Sequence, residues 1–176
     1  MRFWYSRIDT RSSTIASIFL EPGTPLKMIL SDSVLKKKLI LTNYQPGHPS
    51  GVGYTVDDWP YIPGTSHMAA RDMWNLLRPR VSNLENRGIV DDKIRDLQKE
   101  GLDALEKSET ALKKHRYDVF SEASARSWAL ASRVYDQVEK TQKDVLFGVL
   151  FYIALFVPFA FCVERFLFSY ANIYKR

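Results

Sequence analysis

The chain has a single cysteine, Cys162. An intrachain disulfide is therefore impossible, and a cysteine-built zinc site lacks its ligands. No HExxH or HxxxH pattern occurs. The nearest thing to a phosphate loop, Gly51-Val52-Gly53, is too short and does not open a helix. Charge of one sign is also scarce. The formal net charge is +5 and the isoelectric point near 9.3, but bases alternate with acids, as in EKSETALKKHR over 106–116. That reads as a solvated helix face, and nucleic acid is not an expected partner. The largest absence is local. From Val145 to Val163, in VLFGVLFYIALFVPFAFCV, there is no charge and no strongly polar side chain.

Nineteen helical residues rise about 28 Å, close to the roughly 30 Å hydrocarbon thickness of a bilayer. In water such a helix is apolar on every face. In lipid it satisfies its own backbone hydrogen bonds. The expectation is a transmembrane helix over about 144–170, with the bilayer and neighbouring transmembrane helices or subunits of a membrane complex as partners. Pro158 sits mid-span, frees the carbonyl of Ala154 and is the hinge candidate. Interfacial anchors are expected at Tyr152, Glu164, Arg165, Tyr170, Tyr174, Lys175 and Arg176. Residues 171–176 form a short basic tail. Four bases before the run (Arg126, Arg133, Lys140, Lys143) face three after it (Arg165, Lys175, Arg176), a margin too small to orient the span.

Before this run the chain changes character twice. Residues 1–44 read as short β-strands: RFWYSRI, STIASIFL, LKMIL and KLILTNY are rich in aromatic and branched side chains. Glu21-Pro22-Gly23-Thr24 is the clearest turn and predicts a hairpin joining 14–20 to 26–30. Lys36, Lys37 and Lys38 read as edge protection. So few short strands bury little; they complete a sheet with chain lying upstream, or pack on the helices that follow. Residues 45–65 form an aromatic, proline- and glycine-rich loop. Tyr54, Trp59 and Tyr61 need a surface to cover, so the loop is expected to be ordered against the helices. His48, Asp57, Asp58 and His67 lie in or beside it. They are the right types for a metal or hydrolytic site, but their spacing fits no known ligand pattern. Asp57 and Asp58 are expected to serve turns. The expectation is therefore no catalytic residue, no metal and no cofactor.

From residue 66 the period becomes helical. Met73, Trp74, Leu77, Val81 and Leu84 share one face of a helix over about 66–87, with Thr65 or Ser66 capping its start, Gly88 its end, and a bend at Pro79. A second helix, about 91–115, starts at an Asp91 or Asp92 cap. It carries a narrow stripe of small residues through Ile94, Leu97, Gly101, Ala104 or Leu105, Ser108 and Ala111 or Leu112. Glu109 and Lys113 are expected to pair across one turn. A third helix begins near Tyr117, with Val119, Ala123, Leu130, Val134 and Val138 on its apolar face beside Trp128 and Tyr135. No glycine or proline separates Val138 from Val145, so the helix over 118–143 is predicted to enter the span unbroken. The fold class is α+β: short N-terminal strands, then an antiparallel three-helix coil, or stalk, over 66–143 whose last helix continues into one transmembrane helix.

The segment DVLFGVLFYIALFVPFAFCVERFLF resembles large multi-domain membrane proteins of bacteria and archaea related to FtsX-type ABC transporter permeases. In them a helical extracytoplasmic segment runs into a span ending in PFxFxxERLLF. The matching residues are Asp144, Gly148, Phe151, Tyr152, Ala154, Leu155, Pro158, Phe159, Phe161, Glu164, Arg165 and Phe168, and WNLL…LENRGI and YDVF…ARSWAL…RVYDQV extend the likeness over about 66–170. The resemblance implies a fragment of a larger protein in the cytoplasmic membrane, with residues 1–143 extracytoplasmic and Arg176 facing the cytoplasm. It carries over no catalytic residue. The function expected is a non-enzymatic stalk coupled to a span within a permease-like transport or envelope complex. The alternatives are a complete tail-anchored interaction protein with a cytoplasmic coil, since the N-terminus lacks the apolar core of a signal peptide, and a fragment of a membrane hydrolase.

Overall fold

The computed structural model describes residues 17–31, 38–48, 50–62 and 64–167. The fold is α+β and mostly helical. Strands β1 (Met28–Ser31) and β2 (Lys38–Leu41) precede helices α1 (Thr65–Asn86), α2 (Asp92–Lys113) and α3 (Tyr117–Leu167).

The helix ends follow local chemistry. Asp91 caps α2: its Oδ1 accepts from the amides of Lys93 at 2.9 Å and Ile94 at 3.3 Å. Gly88, at φ +80°, closes α1. Its N–H reaches the carbonyl of Glu85 at 2.9 Å, and that of Ile89 reaches Leu84 at 3.0 Å, the reciprocal pair of a Schellman stop. The end of α2 repeats this arrangement with His115, at φ +56°, in the left-handed position; Arg116 N–H bonds the carbonyl of Ala111 at 2.9 Å. The start of α1 departs from expectation. Neither Thr65 nor Ser66 caps it. Gly64 is the N-cap, in a left-handed conformation with no side-chain bond to the helix, and Thr65 Oγ1 turns back to the carbonyl of Ile62 at 3.5 Å. The helix runs through Pro79 without a break. Pro79 is exposed, so water can serve the carbonyl that its missing N–H leaves free.

Side-chain pairs fix the arrangement of the helices. Between α1 and α2, His67 meets Ser108 and Glu85 meets Arg95, so they run antiparallel. Between α1 and α3, His67 packs on Phe120, Trp74 bonds Ser127 and Arg80 lies over Tyr135, so they run parallel. The core between them holds Met73, Trp74, Leu77, Val81, Ile94, Leu105, Leu130, Val134 and Val138. The small-residue stripe on α2 admits the indole of Trp74. A Cβ at Gly101 would lie 2.1 Å from Trp74 Cζ2. Ser127 Oγ completes this crossing, accepting from Trp74 Nε1 at 2.9 Å and donating to the carbonyl of Gly101 at 2.7 Å. The Glu109–Lys113 pair does not form; among the described residues the ion pair at that spacing is Glu139–Lys143 on α3, at 2.8 Å.

Strand pairing corrects the sequence reading. The turn at 21–24 exists, with Thr24 N–H on the carbonyl of Glu21 at 3.1 Å, but 17–20 form no strand. Instead β1 pairs antiparallel with β2, Met28 opposite Leu41 and Ser31 opposite Lys38, and Leu26 bridges Tyr54 in the loop. The RFWYSRI stretch, Lys36 and Lys37 lie outside the described residues. A second apolar cluster of Leu41, Tyr54, Met68 and Ala69, flanked by Trp59, Ile62 and Trp128, seats the strands and the loop on α1 and α3.

Candidate functional site

Two features give the molecule a built junction between its strand unit, its helices and the apolar half of α3. The first is Asp72, fully buried in the middle of the apolar face of α1. Its Oδ2 accepts from the amides of Thr42 at 2.7 Å and Asn43 at 2.8 Å and from the Tyr54 hydroxyl at 3.2 Å. Its Oδ1 accepts from Tyr44 N–H at 3.2 Å and from Arg71 at 3.3 Å. Three successive amides converge on one carboxylate because Asn43 adopts φ +50°. That left-handed conformation is one asparagine tolerates, and its Nδ2 is held by the carbonyl of Gly53 at 2.7 Å. Burial, then the Asp72 charge, pushes the Tyr54 phenol well above its usual range, so Tyr54 stays neutral and donates. Asp72 therefore pins the exit of β2 to α1.

The second feature pins the entry of β2 to α3. The carbonyl of Lys38 accepts from Trp128 Nε1 at 2.9 Å and from Ser132 Oγ at 3.1 Å. Lys38 Nζ bonds Glu139, stands 3.7 Å from Asp136 and lies 4.5 Å from the Tyr135 ring centre. Partial burial lowers the Lys38 pKa, but the Glu139 hydrogen bond and the neighbouring charges outweigh it and the net shift is upward. Hydrogen bonds from Lys143 and then Lys38 hold the Glu139 carboxyl at about 2. Glu139 lies six residues before Val145, about 9 Å along the helix. The ion cluster thus closes the packed part of α3 just above the apolar run.

Beyond it α3 continues without interruption, 51 residues from Tyr117 to Leu167, about 76 Å. It is one helix long and apolar enough, by length and composition, to cross a membrane, and none of its apolar window is buried. Tyr152 is 64% exposed. Pro158 lies inside the helix without ending it, and Arg165 lies in its last turn beside Glu164. Tyr170, Tyr174, Lys175 and Arg176 lie outside the described residues.

The four polar residues singled out around the loop fall into separate local contacts. Asp57 accepts from Gly23 N–H at 3.0 Å, and Asp58 from Thr55 Oγ1 at 2.8 Å, so both serve turns. His48 sits in the 45–48 bridge. His67 alone meets a possible nucleophile, Ser108, with Nδ1 3.0 Å from Oγ. The Ser108 hydroxyl donates to the carbonyl of Leu105 at 2.7 Å, which leaves its oxygen to accept from His67 in the tautomer that carries its proton on Nδ1. Burial lowers the His67 pKa. Among the described residues no group of three or more His, Cys, Asp or Glu could hold a metal ion.

Pattern reading passed over Asp72 and took Lys38 for edge protection, where the structure puts it in an ion cluster with Asp136 and Glu139. Asp72 did leave a trace: it interrupts the apolar face set by Met68, Ala69, Met73 and Leu76, where a lone carboxylate needs partners. Compared with family models, curated proteins and solved structures, the chain returns no match.

Proposed function

We propose that this chain is a non-enzymatic, membrane-anchored segment. Its stalk of α1, α2 and the first half of α3 stands outside the cytoplasm and is rigidly coupled to a transmembrane helix, within a larger permease-like transport or envelope complex. The observation that carries this reading is α3 itself. Its first half is packed into the bundle core and its second half is apolar and uncovered, with no break between them. Leaving such a surface in water is untenable. At about 1.5–3 kcal/mol for each large apolar side chain, the run represents tens of kcal/mol, more than the about 5–15 kcal/mol that holds a domain folded. Lipid, or other apolar helices within lipid, must cover it.

A continuous helix transmits tilt and rotation, whereas a flexible joint absorbs them. The Lys38 contacts with Glu139, Trp128 and Ser132 tie the strand unit to this helix, and Asp72 ties it to α1 packed alongside, so displacement of the strands by a partner would reach the apolar half. The permease-like context rests on the sequence resemblance over about residues 66–170.

The test is made in the source membrane. A Leu112→Cys variant, at an exposed position on α2, is treated with a membrane-impermeant thiol reagent on intact cells, and the complex is sized on a native gel with an antibody against residues 91–115. Labelling from outside together with a large complex is the expected result. Labelling only after permeabilisation would overturn the extracytoplasmic stalk in favour of a cytoplasm-facing, tail-anchored protein.

A further inference from the structure

The α1–α2 turn, residues 87–91, lies at the end of the bundle from which the apolar half of α3 emerges. α1 and α3 run parallel with a steady offset: His67 against Phe120, Trp74 against Ser127, Arg80 against Tyr135. Carried to the end of α1, that offset places Asn86 level with about residue 140 of α3. α2 is antiparallel to α1, as His67 against Ser108 and Glu85 against Arg95 show, and so to α3; with the carbonyl of Gly101 against Ser127, Asp91 comes level with about residue 137. The turn joining them projects past both ends, so its tip lies no more than five residues, about 8 Å along the helix axis, from the level of Val145.

That separation matches a bilayer dimension. The polar headgroup layer adds about 5–8 Å on each side of the hydrocarbon core. The tip sequence suits this layer. Val90 is 51% exposed and Arg87 and Gly88 are exposed. Acids and bases alternate around it: Asp91, Asp92 and Asp144 with Arg87, Lys93 and Lys140. The Schellman stop at Gly88 fixes the direction of the tip, since Ile89 N–H is bound to Leu84 and the chain can leave only beyond the helix end.

We infer that the α1–α2 turn, with Val90 at its tip, is a second membrane contact: it rests in the headgroup layer and makes the bundle stand on the bilayer at two points. The partner is a zwitterionic lipid surface, because the mixed charges at this end can meet both the phosphate and the ammonium of a phosphatidylcholine headgroup. This contact rests on the reading of α3 as a transmembrane helix. One point lets a bundle swing about the span; two points fix the tilt of the bundle to that of α3.

The experiment uses the full chain in phosphatidylcholine nanodiscs, with Cys162→Ser removing the one native thiol. Single cysteines carry an environment-sensitive fluorophore at Val90, at Tyr61 on the opposite end of the bundle, and at Phe156 in the apolar run; all three are exposed in the isolated chain. The expected result is emission from Val90→Cys shifted to the blue of Tyr61→Cys and quenched by a spin label attached to the lipid headgroup, with Phe156→Cys quenched by a mid-chain label. Val90→Cys matching Tyr61→Cys, while Phe156→Cys is still quenched from within the chains, would overturn the contact and leave the span standing. Loss of mid-chain quenching at Phe156→Cys would overturn the span and the contact with it.

Discussion

At the scale of single residues, three groups carry stakes that their neighbours set. Asp72 replaces solvent for three backbone amides and a tyrosine hydroxyl in a buried site. Asp72→Asn keeps the shape but turns one acceptor into an NH2 group facing donors. A buried donor left without an acceptor costs about 1–3 kcal/mol, and breaking a buried charged contact about 3–5 kcal/mol. Asp72→Asn is therefore expected to lower the unfolding free energy by about 3 kcal/mol, read from denaturant titration of the full chain in detergent; a change below about 1 kcal/mol would mean that the clamp is not what holds the strands. His115 goes the other way. A non-glycine residue in the left-handed region costs about 1–2 kcal/mol, and glycine adds about 0.5–1 kcal/mol of unfolded-state entropy. His115→Gly should therefore stabilise slightly, by about 0.5–1 kcal/mol in the same titration. His67 sets a pH dependence. Burial depresses its folded pKa, so the folded state favours the neutral ring. Its contribution is fully present above the unfolded value near 6.5 and is lost as pH falls through the lower folded value. Midpoints should decline from neutral pH into the acid range, and His67→Gln should flatten that part of the profile.

At the scale of elements, the α1–α2 crossing depends on Gly101. Alanine would gain about 1 kcal/mol of helix propensity over glycine. Its Cβ would sit 2.1 Å from Trp74 Cζ2, and Trp74 is fully buried with its Nε1 bound to Ser127. Overpacking at about 1–3 kcal/mol, together with about 1 kcal/mol for a strained or lost hydrogen bond, outweighs the gain. Gly101→Ala should thus lower the denaturation midpoint despite its better propensity, and a rise would show that the helices can part freely. The elements also differ in how far the sequence disclosed them. The helices were legible because a 3.6-residue period repeated over six turns is redundant, and because Asp91 and Gly88 punctuate it chemically. The start of α1 was not. Thr65 and Ser66 have the right side chains, but Gly64, at φ +57° and where a Cβ would lie 3.2 Å from Phe120 Cζ of α3, sets the entry instead. The partner of β1 was misread for a related reason. Glu21-Pro22-Gly23-Thr24 makes its turn locally, yet which strand lies beside Met28–Ser31 is decided by the docking of β2 against α1 and α3 and by Asp72 thirty residues away. Lys38 looked like edge protection because nothing in its own neighbourhood announces Glu139 a hundred residues later.

At the scale of the whole molecule, the mechanical proposal reduces to whether α3 behaves as one rod. The packed half is held at Trp128, Ser132, Asp136 and Glu139 by Lys38, and the apolar half begins a turn and a half later. Between them stand only Lys140, Thr141, Gln142, Lys143 and Asp144, solvated residues with one intrahelical pair, Glu139–Lys143, and one hydroxyl bonded back to the helix, Thr141 to Gln137 at 3.0 Å. Among the described residues no tertiary hydrogen bond or ion pair reinforces these five, so their helicity rests on backbone bonds continuous with two anchored flanks. The geometry offers a direct ruler. Tyr117 and Val157 are both exposed on α3, lie forty residues apart and both precede Pro158. A straight helix separates them by about 60 Å. Spin labels at Tyr117→Cys and Val157→Cys, in the Cys162→Ser chain in nanodiscs, should give one narrow distance distribution near that value by pulsed electron–electron resonance. Replacing residues 141–143 by glycines, each costing about 1 kcal/mol of helix propensity, should broaden and shorten it. A distribution already broad with the native linker would mean that the joint bends freely, and the bundle could then sense a partner without moving the helix below it.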